Sequence, residues 1–150
     1  MRIVIQRVIS ASVTVDGVVI SSIGKGLMLL VGVEDGDTNE DVTWLAKKTI
    51  NLRIFEDENG IMNRSLMEID GEILAVSQFT LTASTRKGNR PSYIRAAKPE
   101  LAISLYDYFC DLIGELTCKE VKKGIFGADM KVSLINDGPV TIIIDSRMKE

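Results

Sequence analysis

A chain of 150 residues is long enough to bury about two thirds of its unfolded surface in one domain, without disulfide or metal staples. With 45% hydrophobic and 26% charged residues, its composition is that of a soluble globular protein, and no apolar run reaches the roughly 18 residues of a membrane-spanning helix. A net charge of −3 argues against coating nucleic acid by bulk attraction, and the absence of histidine removes the usual general base and a common metal ligand.

The amino terminus, MRIVIQRV, enters an alternating pattern at once and carries no secretory signal, so the cytosol is the expected compartment. Ile3 and Ile5, then Val13 and Val15, Asp16-Gly17, Val18 and Ile20 read as strands, the later pair joined by a two-residue turn. Gly26–Val33 is apolar throughout, as for a strand covered on both faces. Thr38 and Asp41 resemble a capping box with Asp in place of Glu or Gln. Val42, Leu45, Ala46, Thr49 and Leu52 or Arg53 then keep helical spacing. Asn59-Gly60 and Asp70-Gly71 mark turns, and Glu72–Leu81 reads as a strand that runs into a polar, basic loop. Pro99 opens a second helix with the stripe Leu101, Leu105, Phe109, Leu112 or Ile113, and Leu116. Cys110 and Cys118 fall in that helix with no histidine to complete a zinc site, and read as reduced structural thiols. Gly124 and Gly127 then interrupt the path to a final hairpin made of Met130–Ile135 and Val140–Ile144.

This order predicts one domain over residues 1–150 of the α/β class, in the loose sense. Strand-rich mixed sheets form a barrel-like or two-layer core, with two main helices packed outside. A doubly wound dinucleotide fold is not expected, because no glycine-rich fingerprint follows the first strand. Gly24-Lys25-Gly26 lacks the spacing of a phosphate loop, and Glu56–Gly60 lacks the alternating ligands of a calcium loop.

Charge is unevenly spread. From Ile73 to Pro99 there is no Asp or Glu but five cations, Arg86, Lys87, Arg90, Arg95 and Lys98, which leaves 13 cations against 21 anions elsewhere. A basic segment on an acidic body meets a few phosphates locally without general affinity for polyanions; the plain alternative is a solvated loop. Beside it lies SQFTL, Ser77 to Leu81. Either Phe79 and Leu81 face a core while Gln78 and Thr80 face water, or the strand stops pairing here and points main-chain N–H groups at a developing oxyanion. Without a base, nucleophilic attack by a serine or threonine is the weaker proposal. The run NDGPVT, 136 to 141, is odd in another way: Asp-Gly signals a tight turn, yet Pro139 has no N–H for a ladder and restricts Gly138.

Taken in order, MRIVIQRV, GKGL (24–27), NLRIFED (51–57), VSQFTL (76–81), TRKGNRPS (85–92), FGADMKVSL (126–134) and NDGPVT resemble the D-aminoacyl-tRNA deacylases from end to end. The resemblance implies a homodimer, with no metal or organic cofactor, that hydrolyses the ester between a D-amino acid, or glycine, and the 3′ end of tRNA. It implies that Ser77, Gln78, Phe79 and Thr80 line the pocket for the aminoacyl group and terminal adenosine. Gly138-Pro139 becomes the Gly-cisPro motif inserted into the partner's pocket, where its main-chain oxygens hold the substrate's amino group and leave no room for an L side chain. Arg7 resembles the arginine that steadies this motif, Phe126 and Met130 match pocket-wall positions, and Arg86, Lys87 and Arg90 match candidates for acceptor-stem phosphates. The sequence departs from the commoner family pattern at Asn63-Arg64 and Ile94-Arg95, where a cation is added. An aminoacyl ester is already activated and the vicinal 2′-OH assists, so position and oxyanion stabilisation suffice without histidine. Two other readings, a Ser/Thr-dependent esterase and a noncatalytic tRNA-binding module, leave the missing base and NDGPVT unexplained respectively.

Overall fold

The computed structural model describes Met1–Glu150. In chain order the elements are β1 (Arg2–Val15), β2 (Val18–Ile23), β3 (Gly26–Gly32), α1 (Asn39–Asn51), β4 (Phe55–Glu56), β5 (Met62–Arg64), β6 (Glu72–Ser77), α2 (Pro99–Thr117), β7 (Lys122–Lys123) and β8 (Lys131–Asp145).

β1 is the spine. One of its edges pairs antiparallel with β8 from Arg2 through Thr14; the other is shared, β3 taking Arg2–Val8 and β2 taking Ala11–Val15. The β1–β2 turn is the expected two-residue one, with Asp16 and Gly17 both at positive φ, 51° and 77°. β6 lies parallel to β3, and β7 parallel to β6. The Ser21 hydroxyl of β2 then donates to the Lys123 carbonyl of β7 at 2.8 Å, so the sheet curls into a nearly closed barrel.

Curling sorts the apolar side chains into two cores. Val8, Ala11, Val13, Ile23, Met28, Leu74 and Val76 fill one. In the other, Ile3, Ile5, Leu27, Leu29, Val31 and Ala75 meet Val42, Leu45 and Ala46 of α1 and Leu105, Phe109 and Ile113 of α2. β3 and β6 contribute to both, which explains why their sequences are apolar without alternation. β1 changes allegiance along its length, Ile3 and Ile5 packing toward the helices and Val8 onward on the other core; its ladder with β8 is irregular between Gln6 and Ser10. Asp41 accepts the Thr38 N–H at 2.8 Å at the start of α1, and Pro99 occupies the first turn of α2. No helix is long and apolar enough to cross a membrane.

Three expectations need correction. Residues 130–144 do not form a hairpin, because β8 is one strand and both of its halves find the same partner, β1. The register passes from Val8↔Asn136 to Gln6↔Thr141, so the four residues 137–140 bulge out opposite Arg7 alone. Asn136 makes this possible: its side-chain oxygen accepts the Val140 N–H at 2.7 Å and its amide donates to the Val140 carbonyl at 3.2 Å, closing the bulge as a backbone pair would. The strand from Glu72 stops at Ser77, where the Gln78 N–H bends to the Val31 carbonyl at 2.7 Å and Phe79–Thr82 turn as a 3₁₀ helix. Cys118 is not helical; it caps α2 at φ 53°.

Arg2 ties the chain's ends to that turn, donating to the Asp145 carboxylate at 3.0 and 2.8 Å and to the Leu81 carbonyl at 2.8 Å. Burial pushes the Asp145 carboxyl up, but hydrogen bonds from the Arg147 N–H and the Arg2 guanidinium, with its charge, outweigh burial and hold it below the usual range. A depressed folded-state pKa stabilises above the unfolded value of about 3.9 and loses that contribution as pH falls through the folded value. Asp145→Asn is therefore expected to lower the thermal unfolding midpoint at pH 7 and to reduce its drop between pH 7 and pH 3. Equal midpoint losses at both pH values would show that the carboxylate is not held by charge.

Candidate functional site

The end of β6 opens a cavity of about 490 Å³ at the carboxyl ends of the parallel pair β3 and β6, a usual place for ligands in such sheets. Val31 and Val33 back it, Ser77, Gln78 and Phe79 form one side, Phe126 and Met130 the opposite side, and Tyr106 of α2 a further wall. Most of the lining is apolar, as expected for a site that takes a side chain or a base. The Tyr106 hydroxyl donates to the Ala75 carbonyl at 2.8 Å, so the ring is fixed, and burial pushes its pKa up. Burial likewise pushes the neighbouring Cys110 thiol up to about 12, so it is an inert packing group, while Cys118 is exposed.

The 3₁₀ turn starts at Phe79 on the cavity lining and is anchored through its carbonyls. Arg2 holds its Leu81 carbonyl, Arg95 donates to the Thr82 carbonyl at 3.2 Å, and the Thr82 hydroxyl donates to the Phe79 carbonyl at 2.8 Å. Leu81 N–H and Ala83 N–H close the turn on Gln78 and Thr80. The N–H groups of Phe79 and Thr80, first in the turn, have no such carbonyl ahead of them, and no turn, loop or side-chain hydrogen bond takes either. These are two main-chain donors free for a ligand. Gly32 sets their position, since a Cβ there would lie 2.9 Å from Leu81 Cβ and 3.1 Å from the Gln78 carbonyl oxygen. Only glycine lets the turn pack this closely on β3.

The expected site residues divide into three groups. Ser77, Gln78, Phe79, Phe126 and Met130 all line the cavity. Thr80 does not; its hydroxyl accepts a hydrogen bond from the Gln78 side-chain amide at 2.6 Å. Gly138 and Pro139 are exposed on the β8 bulge and absent from the chain's own cavity lining. Their peptide bond is cis, and Gly138 has φ 140°. Arg7, buried beneath the bulge, donates to the Asp137 carbonyl at 2.9 Å and the Ile54 carbonyl at 2.6 Å, with the Asp137 carboxylate 3.5 Å away. Arg86, Lys87 and Arg90 are exposed on a loop whose ends meet at the Ser84–Ser92 bridge, and none makes an ion pair. No three His, Cys, Asp or Glu side chains are gathered to hold a metal ion. Sequence reasoning missed Gly32, Tyr106 and Arg2, of which only Gly32, a glycine inside an apolar strand, carried a signal, and it read Arg95 as part of the basic segment without its role in holding the turn.

Fold and cavity together define a small α/β protein whose site has mostly apolar walls, with Asp129, paired to Lys131 at 2.9 Å, the one carboxylate on its lining. The family model described as D-Tyr-tRNA(Tyr) deacylase matches residues 4–145, and the chain belongs to this family. A D-aminoacyl-tRNA deacylase from Parabacteroides distasonis is 65% identical over 150 residues, with each chain fully covered. One from Flavobacterium psychrophilum is 63% identical with the same coverage. Among solved structures, the c-Myc DNA Unwinding Element Binding Protein matches with a TM-score of 0.91 and 42% identity over 97% of this chain and 98% of its own. A structure described as a probable eukaryotic D-amino acid tRNA deacylase matches at a TM-score of 0.82 and 20% identity over 95% and 97%, which bears on the fold alone.

Proposed function

We propose that this protein hydrolyses the ester of D-aminoacyl-tRNA, and of glycyl-tRNA, releasing the free amino acid, and so removes the wrong enantiomer before translation uses it. The observation that carries the mechanism is the pair of N–H groups of Phe79, on the cavity lining, and Thr80, next in the turn, which no turn, loop or side-chain hydrogen bond takes. Such donors act where charge develops on the carbonyl oxygen, and losing one typically costs about 2.7–4 kcal/mol. The substrate's vicinal 2′-OH orients water, Ser77 and Gln78 position the ester, and Phe126 and Met130 wall the pocket for the aminoacyl group and terminal adenosine.

Selectivity comes from a second copy of the chain. Gly138 and Pro139 stand exposed, away from their own cavity, on a bulge held from below by Arg7. In a homodimer this segment enters the partner's cavity, binds the substrate's amino group through its carbonyls, and blocks the direction in which an L side chain projects. The free outer edge of β8 and its exposed Ile135 and Ile143 support this reading, because an uncovered strand of this length invites pairing.

Matched D- and L-tyrosyl-tRNA test the function. Release of tyrosine from the D form alone is expected; equal release from both, or from neither, would contradict it. Thr80→Ala, which keeps the backbone N–H, is expected to retain deacylation within about tenfold of wild type. A folded, substrate-binding Thr80→Ala enzyme with no deacylation would make the hydroxyl essential instead.

A further inference from the structure

Beside the cavity's mouth lies a surface that folding alone does not require. Phe79 is 56% exposed, Tyr93 39% and Ile94 87%. The rings of Phe79 and Tyr93 meet edge to face with centroids 5.0 Å apart. A single exposed apolar side chain is ordinary, but an edge-to-face aromatic pair at the rim of a binding cavity, with a third exposed apolar residue next in the chain, marks a recognition surface.

The turn bearing Tyr93 and Ile94 is held on both sides. Ser84 and Ser92 exchange backbone hydrogen bonds at 2.8 and 2.9 Å. The Ala96 N–H donates to the Tyr93 carbonyl at 2.9 Å, the Asp35 N–H to the Arg95 carbonyl at 2.9 Å, and the Ala97 N–H to the Val33 carbonyl at 3.0 Å. The Arg95 side chain binds the site turn at Thr82 and lies 3.7 Å from the buried Glu34 carboxylate. Tyr93 and Ile94 are thus displayed on a preformed support next to Phe79, and ordering them for a ligand costs little.

Charge indicates the ligand. Arg86, Lys87 and Arg90 precede this turn on the same loop, exposed and without ion pairs, and no acidic residue falls between Ile73 and Pro99. Cations tracking a backbone beside aromatic faces are the combination that holds single-stranded nucleic acid.

We propose that Tyr93 and Ile94, with the exposed edge of Phe79, form a stacking platform for the base of the nucleotide preceding the terminal adenosine, and that Arg86, Lys87 and Arg90 take phosphates along the same strand. The proposal rests on the deacylase reading and adds to it a subsite outside the cavity. It is tested by measuring kcat/KM for wild type, Tyr93→Ala and Ile94→Ala on D-tyrosyl-tRNA with the ordinary 3′ end and with an abasic residue at the penultimate position. In wild type, loss of the base is expected to lower kcat/KM by roughly five- to a hundredfold. Tyr93→Ala is expected to show a similar loss on the ordinary substrate, and little further loss on the abasic one. Ile94→Ala, at a solvent-exposed position that folding does not depend on, repeats the pattern at smaller amplitude. Wild type that deacylates but is indifferent to the missing base, or losses that multiply fully, overturns the platform and leaves the deacylase reading standing. No release from the ordinary substrate overturns both. A shift in oligomeric state in Tyr93→Ala would assign the patch to a contact between copies and overturn the proposal.

Discussion

Gly138→Ala is expected to fold and yet to lose D-aminoacyl-tRNA hydrolysis by at least about a hundredfold. At φ 140° a side chain is strained, and a Cβ would stand 2.9 Å from Val140 Cγ2, 3.1 Å from the Val140 nitrogen and 3.2 Å from the Arg7 guanidinium. Backbone atoms cannot give way as a flexible side chain does, so the bulge must shift. Because Gly138 is exposed on a bulge rather than in either core, the cost to stability is expected to stay near 1–3 kcal/mol. The cost to activity is larger, since a displacement of about 1 Å at a positioning group costs about 10²-fold. Thermal unfolding and single-turnover deacylation separate the two. An unfolded variant, or a folded one with wild-type rate and enantioselectivity, would contradict the role given to this segment.

Gly32→Ala is the second large effect. Its added methyl group meets the Leu81 side chain and the Gln78 carbonyl, both part of the turn that presents the Phe79 and Thr80 N–H groups. Overpacking at such a site costs about 1–3 kcal/mol of stability. Pushing the donors off the proposed oxyanion position is expected to lower kcat by about 10²–10³, with KM changed much less, because in the proposed mechanism the interaction is made mainly in the transition state. A raised KM with unchanged kcat would show that the turn only binds substrate.

Much of the fold was legible because local and global signals agreed. The period of α1, the proline that opens α2, the Asp16-Gly17 hairpin and the unbroken apolar runs of β3 and β6 each have one physical solution, and the chain adopts it. The final hairpin failed because Asp-Gly is a local signal. Pairing of both flanks with β1 is long-range, and Asn136 closes the excursion with its own side chain. The strand through Leu81 failed similarly: nothing in FTLT distinguishes an alternating strand from a 3₁₀ turn, and the deciding contact is the approach to Gly32, distant in sequence.

The site was legible in unequal parts. Ser77, Gln78, Phe79, Phe126 and Met130 converge on one cavity from two distant segments, a convergence only the barrel's curvature produces. Arg7 and Gly138 are adjacent because the bulge stands opposite Arg7 in the β1–β8 ladder. Arg2, which holds the Leu81 carbonyl, lies 79 residues from it and resembles any surface cation until the fold brings the two together, whereas Arg95, 13 residues from Thr82, was already set apart as part of the basic segment.

Subunit mixing tests the central claim most directly. In the proposed homodimer Gly138→Ala would spoil the segment a subunit lends and Gly32→Ala the cavity it keeps, so co-expressed subunits would form mixed dimers with one intact cavity facing one intact segment. The mixture is expected to recover D-tyrosyl-tRNA deacylation to about a quarter of wild type, although each variant alone is expected to be nearly inactive. A mixture no more active than the two parents would place the segment and the cavity in the same subunit and contradict the account.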